Sequence, residues 1–254
     1  MLACGVVASA AFAPVSLTPR ASAARASVQM ETVSDLKGLA TSLNPVVGFW
    51  DPLKLAEAEF WDNTNEETIG FLRHAEIKHG RVAMAAFVGY VLQSNGVHFP
   101  WAPYPGFDAA ASAAMSPPEQ WDALPYAGKL QILLTIGFLE WWSEIRVDGT
   151  PHYMKGGKPG YFPDFDTKPD LLPHWIGFNL YDPFKWSKGM SEETKATRLL
   201  AELNNGRLAQ IGIIAFLSEQ KVPGSVPFLK GVVAPYSGEV MGPLFGAGAP
   251  SIFS

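Results

Sequence analysis

The chain contains an internal repeat built on charged residues and glycine, and this repeat restricts the possible folds more than any other feature. At an offset of 126 residues, segment 66–87 aligns without a gap with segment 192–213. The recurring positions include a glutamate and a Gly-Arg pair: Glu76, Gly80 and Arg81 in the first copy, and Glu202, Gly206 and Arg207 in the second. An aromatic-Asp-Pro turn precedes each copy, at Asp51-Pro52 and Asp182-Pro183. Such self-similarity indicates two copies of one structural unit.

Each copy of the repeat predicts a long helix. Thr68 and Thr194 follow acidic residues, which suit a helix N-terminus, and the segments after them contain no proline. The predicted helices span about 68–95 and 194–220, and each is roughly 40 Å long at ~1.5 Å rise per residue. A third helix is predicted at about 125–145. The connections 96–123 and 147–190 are rich in Pro, Gly and aromatic residues, which predicts irregular loops.

Residues 1–30 differ in composition from the rest of the chain. They contain no acidic residue, two arginines and many Ala and Ser residues, which is typical of a bipartite plastid-targeting presequence. The remaining residues, 31–254, form one predicted domain. The single cysteine, Cys4, lies in the presequence, so a disulfide framework and a Cys-based metal site are excluded. The formal net charge of -5 argues against nucleic acid as a partner.

The distribution of basic residues indicates a membrane protein, although no uninterrupted run of ~18 apolar residues exists. Residues 93–128 contain no Lys or Arg, whereas residues 146–198 contain eight. This segregation follows the positive-inside rule for three membrane-spanning helices that alternate in direction. The sequence therefore predicts an all-α membrane protein with three transmembrane helices and long irregular loops.

Charged residues inside the predicted spans need partners, because an unpaired charge in the hydrocarbon costs roughly 3 kcal/mol on insertion scales. The repeat supplies them, since a two-fold axis between the first and third helices sets Glu76 against Arg207 and Glu202 against Arg81. The glycine that precedes each arginine allows the two backbones to approach closely. We therefore expect the first and third helices to cross as an ion-paired unit with pseudo-two-fold symmetry.

A second potential ligand follows each glutamate by three residues on the same helix flank: His79 after Glu76, and Asn205 after Glu202. Two metal chemistries use such a pattern. A di-iron carboxylate helical-bundle enzyme takes Glu-x-x-His from two helices. Separate chlorophyll magnesium ions would each take one carboxylate, imidazole or amide ligand. A glutamate paired with arginine is a charge-neutral ligand, which suits a neutral macrocycle in lipid.

The segments 74–84 and 202–210 resemble the chlorophyll a/b and a/c light-harvesting superfamily. Segments 137–140 and 219–227 look like its chlorophyll a/c branch, the fucoxanthin or peridinin proteins of diatoms, haptophytes and dinoflagellates. The resemblance covers about residues 45–245. It implies three transmembrane helices, no enzymatic activity, and a light-harvesting antenna that passes excitation energy to a photosystem. A photoprotective, energy-dissipating member of the same family is the alternative.

The resemblance also implies which residues contact pigments. The implied axial ligands of chlorophyll magnesium are Glu76, His79, Glu202 and Asn205, and the implied ion-pair arginines are Arg81 and Arg207. In the middle helix the implied ligands are Gln131 and Glu140, with Glu144 as a competing candidate. At the end of the third helix the implied ligand is Glu219, where the family usually has Gln or His, and it is followed by Gln220. The Asp-Pro turns resemble those that hold the polar ends of two crossed carotenoids. His74 is predicted to be a surface or interface residue, and the loop residues His98, His152 and His174 are candidates for peripheral ligands.

The implied cofactors are chlorophyll a, chlorophyll c and xanthophyll carotenoids of the fucoxanthin or peridinin type, with diadinoxanthin. The implied partners are a photosystem I or photosystem II core, neighbouring antenna subunits and thylakoid lipids. The implied location is the plastid thylakoid membrane, with several passes through it.

Overall fold

The computed structural model describes residues 31–146, 148–165 and 179–238, so the predicted presequence lies outside the described residues. Within these ranges the chain forms α-helices, short 3₁₀ turns and no strand. We number the α-helices in chain order: α1 (Val33–Leu43), α2 (Asn65–Ser94), α3 (Ala109–Ala113), α4 (Pro117–Ala123), α5 (Tyr126–Ile145) and α6 (Glu192–Lys221). The three long helices α2, α5 and α6 occupy the three segments for which the sequence predicts helices.

Side-chain caps make the two repeat helices start earlier than predicted. Thr64 caps α2: the Glu67 N–H donates to Thr64 Oγ1 at 3.3 Å, and the Glu67 carboxylate accepts the Thr64 N–H at 2.9 Å. Ser191 caps α6 by accepting the Thr194 N–H at 3.3 Å. Because these caps satisfy backbone donors that have no intrahelical partner, α2 begins three residues and α6 two residues before the predicted starts.

Helices α2 and α6 approach most closely at two glycines. A Cβ atom added to Gly80 would lie 3.1 Å from the Gly206 Cα, and one added to Gly206 would lie 3.0 Å from the Gly80 Cα. Both residues are buried. The expected close contact between the two helix backbones is therefore confirmed, and a side chain on either glycine would push the backbones a few tenths of an ångström apart.

The first helix, α1, was not predicted from the sequence. Its start carries a capping box, in which the Thr32 N–H donates to the Asp35 carboxylate at 2.8 Å. Leu39 and Leu43 on α1 pack in a small apolar cluster with Ile77 of α2 and with Leu203 of α6. The Thr-x-x-Asp capping pattern, followed by leucines at helical spacing, was the available signal in the sequence.

Two short helices correct the prediction that 96–123 is an irregular loop. Asp108 caps α3 by accepting the Ala110 N–H at 2.9 Å. Ser116 caps α4, and its N–H donates to the Glu119 carboxylate at 2.8 Å. The two prolines in the first turn of α4, Pro117 and Pro118, fit there because the N–H groups that they lack would have no intrahelical acceptor. Local capping thus creates helical turns in a segment whose Pro and Gly content suggested none.

Helix α5 is joined to α2 through polar side chains and through the loop that follows α5. Lys78 of α2 bonds to the Glu140 carboxylate, and its Nζ lies 3.4 Å from Ser143 Oγ. Trp142 is fully buried, and its Nε1–H donates to the Pro163 carbonyl at 3.1 Å. The loop therefore holds the end of α5, whereas α2 packs directly against α6.

Many apolar side chains on the long helices point outward. They include Val82 and Val88 on α2, Leu134 and Ile136 on α5, and Leu208 and Ile211 on α6, each at least half exposed. Exposed apolar side chains on this scale indicate a surface that contacts other apolar molecules. By length and hydropathy taken together, no helix within the described ranges qualifies as a membrane span.

The glycine contact yields a test on one helix. Gly80→Leu should destabilise the protein, because the leucine side chain would meet the Gly206 backbone. The cost of this overpacking should exceed the ~1 kcal/mol that leucine gains over glycine in helix propensity. Gly89→Leu is the matched control, since nothing lies within 4 Å of a Cβ at that position. Thermal unfolding of the protein in mild detergent, followed by helical circular dichroism, measures both variants. Equal midpoints for the two would contradict the role of the contact.

Candidate pigment-ligand site

Two reciprocal ion pairs join α2 and α6 beside the glycine contact. Arg81 Nε lies 2.6 Å from Glu202 Oε1, and Arg207 Nη2 lies 2.6 Å from Glu76 Oε1. Each helix thus supplies one glutamate and one arginine, and each charge is balanced by a charge from the other helix. This pairing is the one that the repeat predicts, and the structure confirms it.

The carboxylate of Glu76 has a second cationic partner that sequence reasoning missed. Arg73 Nη1 bonds to Glu76 Oε2, and Arg73 Nε lies 3.1 Å from Glu31 Oε2. Arg73 is 6% exposed, so a buried cation lies between two partly exposed carboxylates. The spacing of three residues between Arg73 and Glu76 was the available signal, because residues at i and i+3 share a helix face. The second copy of the repeat has Leu199 at the position of Arg73, so the two glutamates sit in different electrostatic surroundings.

His79 presents an open nitrogen on the outer surface of α2. Its Nδ1 lies 2.7 Å from the Ala75 carbonyl oxygen, which can only accept a hydrogen bond. Nδ1 therefore carries the proton, and Nε2 of the neutral ring keeps its lone pair. The side chain is exposed, as is Asn205 at the equivalent position on α6. Both residues can reach a molecule that lies against the outside of the helix pair.

The three ligand candidates on the middle helix, α5, differ in exposure and in the bonds that they already make. Gln131 is exposed on α5. Glu140 is exposed too, but its carboxylate bonds to Lys78. Glu144, the competing candidate, accepts hydrogen bonds from His152 Nε2 at 2.8 Å and from the Tyr153 hydroxyl at 3.2 Å. Of these three, Gln131 is thus the most accessible to a ligand.

At the end of α6, the geometry favours a structural role for Glu219 over ligation. Its two carboxylate oxygens each accept a backbone N–H at 2.8 Å, one from Gly224 and one from Val226, and the residue is 3% exposed. Gln220 is fully buried, and its Oε1 accepts the Tyr90 hydroxyl at 3.1 Å. These bonds anchor the turn after α6 and leave neither side chain facing outward.

The loop from 150 to 163 is seated against α2 by buried polar groups. His74 is only 4% exposed, and its Nδ1 accepts the Gly160 N–H at 3.0 Å; it is thus an interface residue and not a surface one. Burial and the nearby Glu144 carboxylate raise the pKa of Tyr153 to about 12. Burial and the hydrogen bond to Asp148 likewise raise the pKa of Tyr161 to about 12. Both tyrosines therefore remain hydrogen-bond donors at neutral pH.

The remaining loop histidines show no common site. His152 bonds to Glu144 as described above. His98 lies edge-on to Phe107, with ring centroids 5.8 Å apart. His174 lies outside the described residues. Within the described ranges, no group of three or more His, Cys, Asp or Glu side chains is arranged to hold a metal ion, so the geometry offers the di-iron alternative no site there.

The two Asp-Pro turns repeat in structure as well as in sequence. Asp51 accepts the N–H groups of Leu55 at 3.0 Å and of Ala56 at 2.8 Å. Asp182 accepts the N–H groups of Trp186 and Ser187, both at 2.7 Å. In each case the aspartate carboxylate accepts backbone N–H groups from the residues four and five positions later, and these bonds close a short 3₁₀ turn. The turns carry large exposed aromatic and apolar side chains: Trp50, Leu53, Phe184 and Trp186.

The paired glutamates and the outward imidazole place oxygen and nitrogen donor atoms on the surface of two closely packed helices. The family model for the Chlorophyll A-B binding protein matches residues 35–221, and the chain belongs to this family. The predicted resemblance is thereby confirmed.

Relatives with this family's pigments in their names match most of the chain. The chain is 33% identical over 227 residues to a fucoxanthin-chlorophyll a-c binding protein of Trieres chinensis, covering 87% of this chain and 92% of that protein. It is 35% identical over 217 residues to fucoxanthin-chlorophyll a-c binding protein F of Phaeodactylum tricornutum, covering 84% and 90%. Protein E of Macrocystis pyrifera is 35% identical over 183 residues, covering 70% and 71%. The names of these relatives match the chlorophyll a/c branch that the sequence predicts.

The ion pairs can be tested by removing one charge. Arg207→Leu should destabilise the protein by about 2 kcal/mol, roughly thirtyfold in the folding equilibrium, because Glu76 loses its partner on α6 and keeps only the bond to Arg73. Lys195→Leu is the control on the same helix, since Lys195 pairs with the exposed Glu192 one turn away, and such surface pairs contribute less than about 1 kcal/mol. Thermal stability in mild detergent gives both values. Equal losses would refute the argument.

Proposed function

We propose that the protein is a light-harvesting antenna that binds chlorophyll a, chlorophyll c and xanthophylls of the fucoxanthin type and passes excitation energy to a photosystem. Family membership over residues 35–221 and the names of the relatives support this function. The observation that carries it in the structure is the pair of reciprocal ion pairs, because they turn two partly buried glutamates into charge-neutral groups where the two helices meet.

A neutralised glutamate is a suitable axial ligand for the magnesium of chlorophyll. Magnesium is a hard cation that prefers oxygen ligands, and the macrocycle that holds it is neutral. Arg81 occupies Glu202 Oε1, while Oε2 has no hydrogen-bond partner among the described residues. Glu202 can therefore offer one oxygen to a pigment while the arginine keeps its charge balanced. Glu76 has the same relation to Arg207 and is held in addition by Arg73.

The neutral outward side chains complete the proposed ligand set. His79 offers Nε2, Asn205 offers its amide oxygen, and Gln131 offers an amide oxygen on α5. Glu140 is a further candidate if a pigment displaces Lys78. When bound, chlorophyll supplies light absorption and excited-state energy; the protein holds each pigment at a fixed position and orientation. We propose no catalytic activity.

We further propose that α2, α5 and α6 cross the thylakoid membrane of a plastid, with α2 and α6 related by an approximate two-fold axis. The reciprocal ion pairs and the outward apolar side chains support this arrangement, as does the segregation of basic residues between the loops. The proposed partners are a photosystem I or photosystem II core, neighbouring antenna subunits and thylakoid lipids. Residues 1–30 are proposed to direct the chain to the plastid.

One spectroscopic experiment tests the function. The protein purified in mild detergent from its native membranes should show the red absorption band of chlorophyll, and light absorbed by carotenoid should excite chlorophyll fluorescence. Absence of the red band would refute the antenna function. A red band with fluorescence that is strongly quenched on acidification would instead favour a photoprotective role.

The ligand role of His79 can be tested with a conservative variant taken from the repeat itself. His79→Leu should lose about one chlorophyll per chain relative to the native protein, because leucine offers no lone pair to magnesium. His79→Asn should retain it, since asparagine occupies the equivalent position 205. Pigment extraction and quantification after reconstitution with chlorophylls and carotenoids measures both. A full pigment complement in His79→Leu would contradict ligation by this residue.

A further inference from the structure

His74 lies two residues before Glu76 on α2 but is turned towards the loop 150–163. Its ring stacks on the Tyr153 ring, with centroids 3.9 Å apart and planes 5° from parallel. Its Nδ1 lies 3.0 Å from the Gly160 nitrogen. Because a backbone N–H can only donate, Nδ1 is the unprotonated nitrogen of the ring. His74 therefore acts as a buried hydrogen-bond acceptor that fixes the loop at Gly160.

Gly160 is held on both sides of its Cα. Its N–H donates to His74, and its carbonyl accepts a hydrogen bond from Arg81 Nη1. Its φ of +74° favours glycine, and an added Cβ would lie 2.7 Å from Ile77 Cγ2. No other residue fits here without displacing the loop from α2. The position of the Gly160 carbonyl is thus determined by the contact with His74 and by close packing.

Arg81 is the link between this loop and the pigment-ligand site. Its Nη1 bonds to the Gly160 carbonyl, while its Nε bonds to Glu202 Oε1 at 2.6 Å. A guanidinium group is planar and its N–H groups have fixed directions. Fixing one side of the group on Gly160 therefore sets the direction in which the other side holds Glu202.

The second copy of the repeat has no histidine at the position equivalent to His74. The position equivalent to His74 is Leu200, which packs in the apolar cluster with α1. The other glutamate, Glu76, is held by Arg207 and Arg73, and neither of these bonds passes through the loop 150–163. A disturbance at His74 should therefore reach Glu202 selectively.

We propose that His74 is a positioning residue for the Glu202 ligand: it fixes Gly160, Gly160 orients Arg81, and Arg81 aims the free carboxylate oxygen of Glu202 at the magnesium of its chlorophyll. This inference rests on the proposed function, in which Glu202 is an axial ligand. It assigns to a histidine outside the ligand set a specific effect on one of the pigments.

The test separates the acceptor from the ring. His74→Phe keeps an aromatic ring for stacking on Tyr153 but has no acceptor for the Gly160 N–H. His74→Asn has no ring, but its Oδ1 stands where Nδ1 stands in histidine and can accept the same hydrogen bond. Each variant is reconstituted with chlorophylls and carotenoids, and its low-temperature absorption and circular dichroism in the red chlorophyll region are compared with those of the native sequence.

Two double variants provide reference spectra. Arg81→Leu/Glu202→Leu removes one ion pair without leaving a lone charge, and Glu76→Leu/Arg207→Leu does the same for the other. Each difference spectrum marks the chlorophyll that depends on that pair. We expect His74→Phe to shift the bands marked by the Arg81/Glu202 variant and to leave the others unchanged, and His74→Asn to retain the native spectrum.

The inference is overturned if His74→Phe has a native spectrum, if its shift falls on the bands of the Glu76/Arg207 variant, or if His74→Asn shifts as His74→Phe does. His74→Leu serves as a second variant without an acceptor. Failure of both acceptor-free variants to assemble would also contradict the inference, because His74 would then support the whole fold. If the native chain itself binds no chlorophyll, the proposed function fails, which is a distinguishable result.

Discussion

Helices α2 and α6 meet where four charged side chains lie beside two glycines, and the remaining structure depends on how these charges are balanced. Arg81 pairs with Glu202 and Arg207 pairs with Glu76, each at 2.6 Å. The pairing fixes the register of the two helices, since sliding one along the other would separate both pairs at once. The Gly80–Gly206 contact sets the distance between the backbones. Every proposed ligand on these helices takes its position from that junction.

The two halves of the junction are chemically different despite their shared sequence pattern. Glu76 contacts a second arginine, Arg73, which in turn contacts Glu31 near the start of α1. Among the described residues, Glu202 contacts one arginine, Arg81, which also bonds to the loop carbonyl of Gly160. Additional positive charge near a carboxylate withdraws electron density from its oxygens. If both glutamates bind chlorophyll, as proposed, the two pigments lie in different electrostatic environments and therefore have different excitation energies.

The proposed antenna role fits the way in which the helices are held. The α2–α6 pair is joined by direct packing and ion pairs, whereas α5 is tied to it by Lys78 and by the loop that receives Trp142. Side-chain and loop bridges keep a helix in place without filling the space beside it. The exposed apolar side chains along all three long helices then provide surfaces for pigments and lipid. A helix pair with open apolar sides is suited to holding several cofactors.

The sequence alone determined the three long helices, the pairing of the four charges and the family. A charged side chain in an apolar helix needs an oppositely charged partner, and the repeat showed which partner each residue has. It did not predict α1, whose stability comes from packing against Ile77 and Leu203, residues distant along the chain. It also missed the roles of Arg73, His74 and Glu219. Their partners are a distant carboxylate or backbone N–H groups, and any residue type can supply a backbone N–H. Only the tertiary structure decided which carboxylates stay partly exposed and which are buried in bonds that hold the fold, since that depends on where the loop backbones lie.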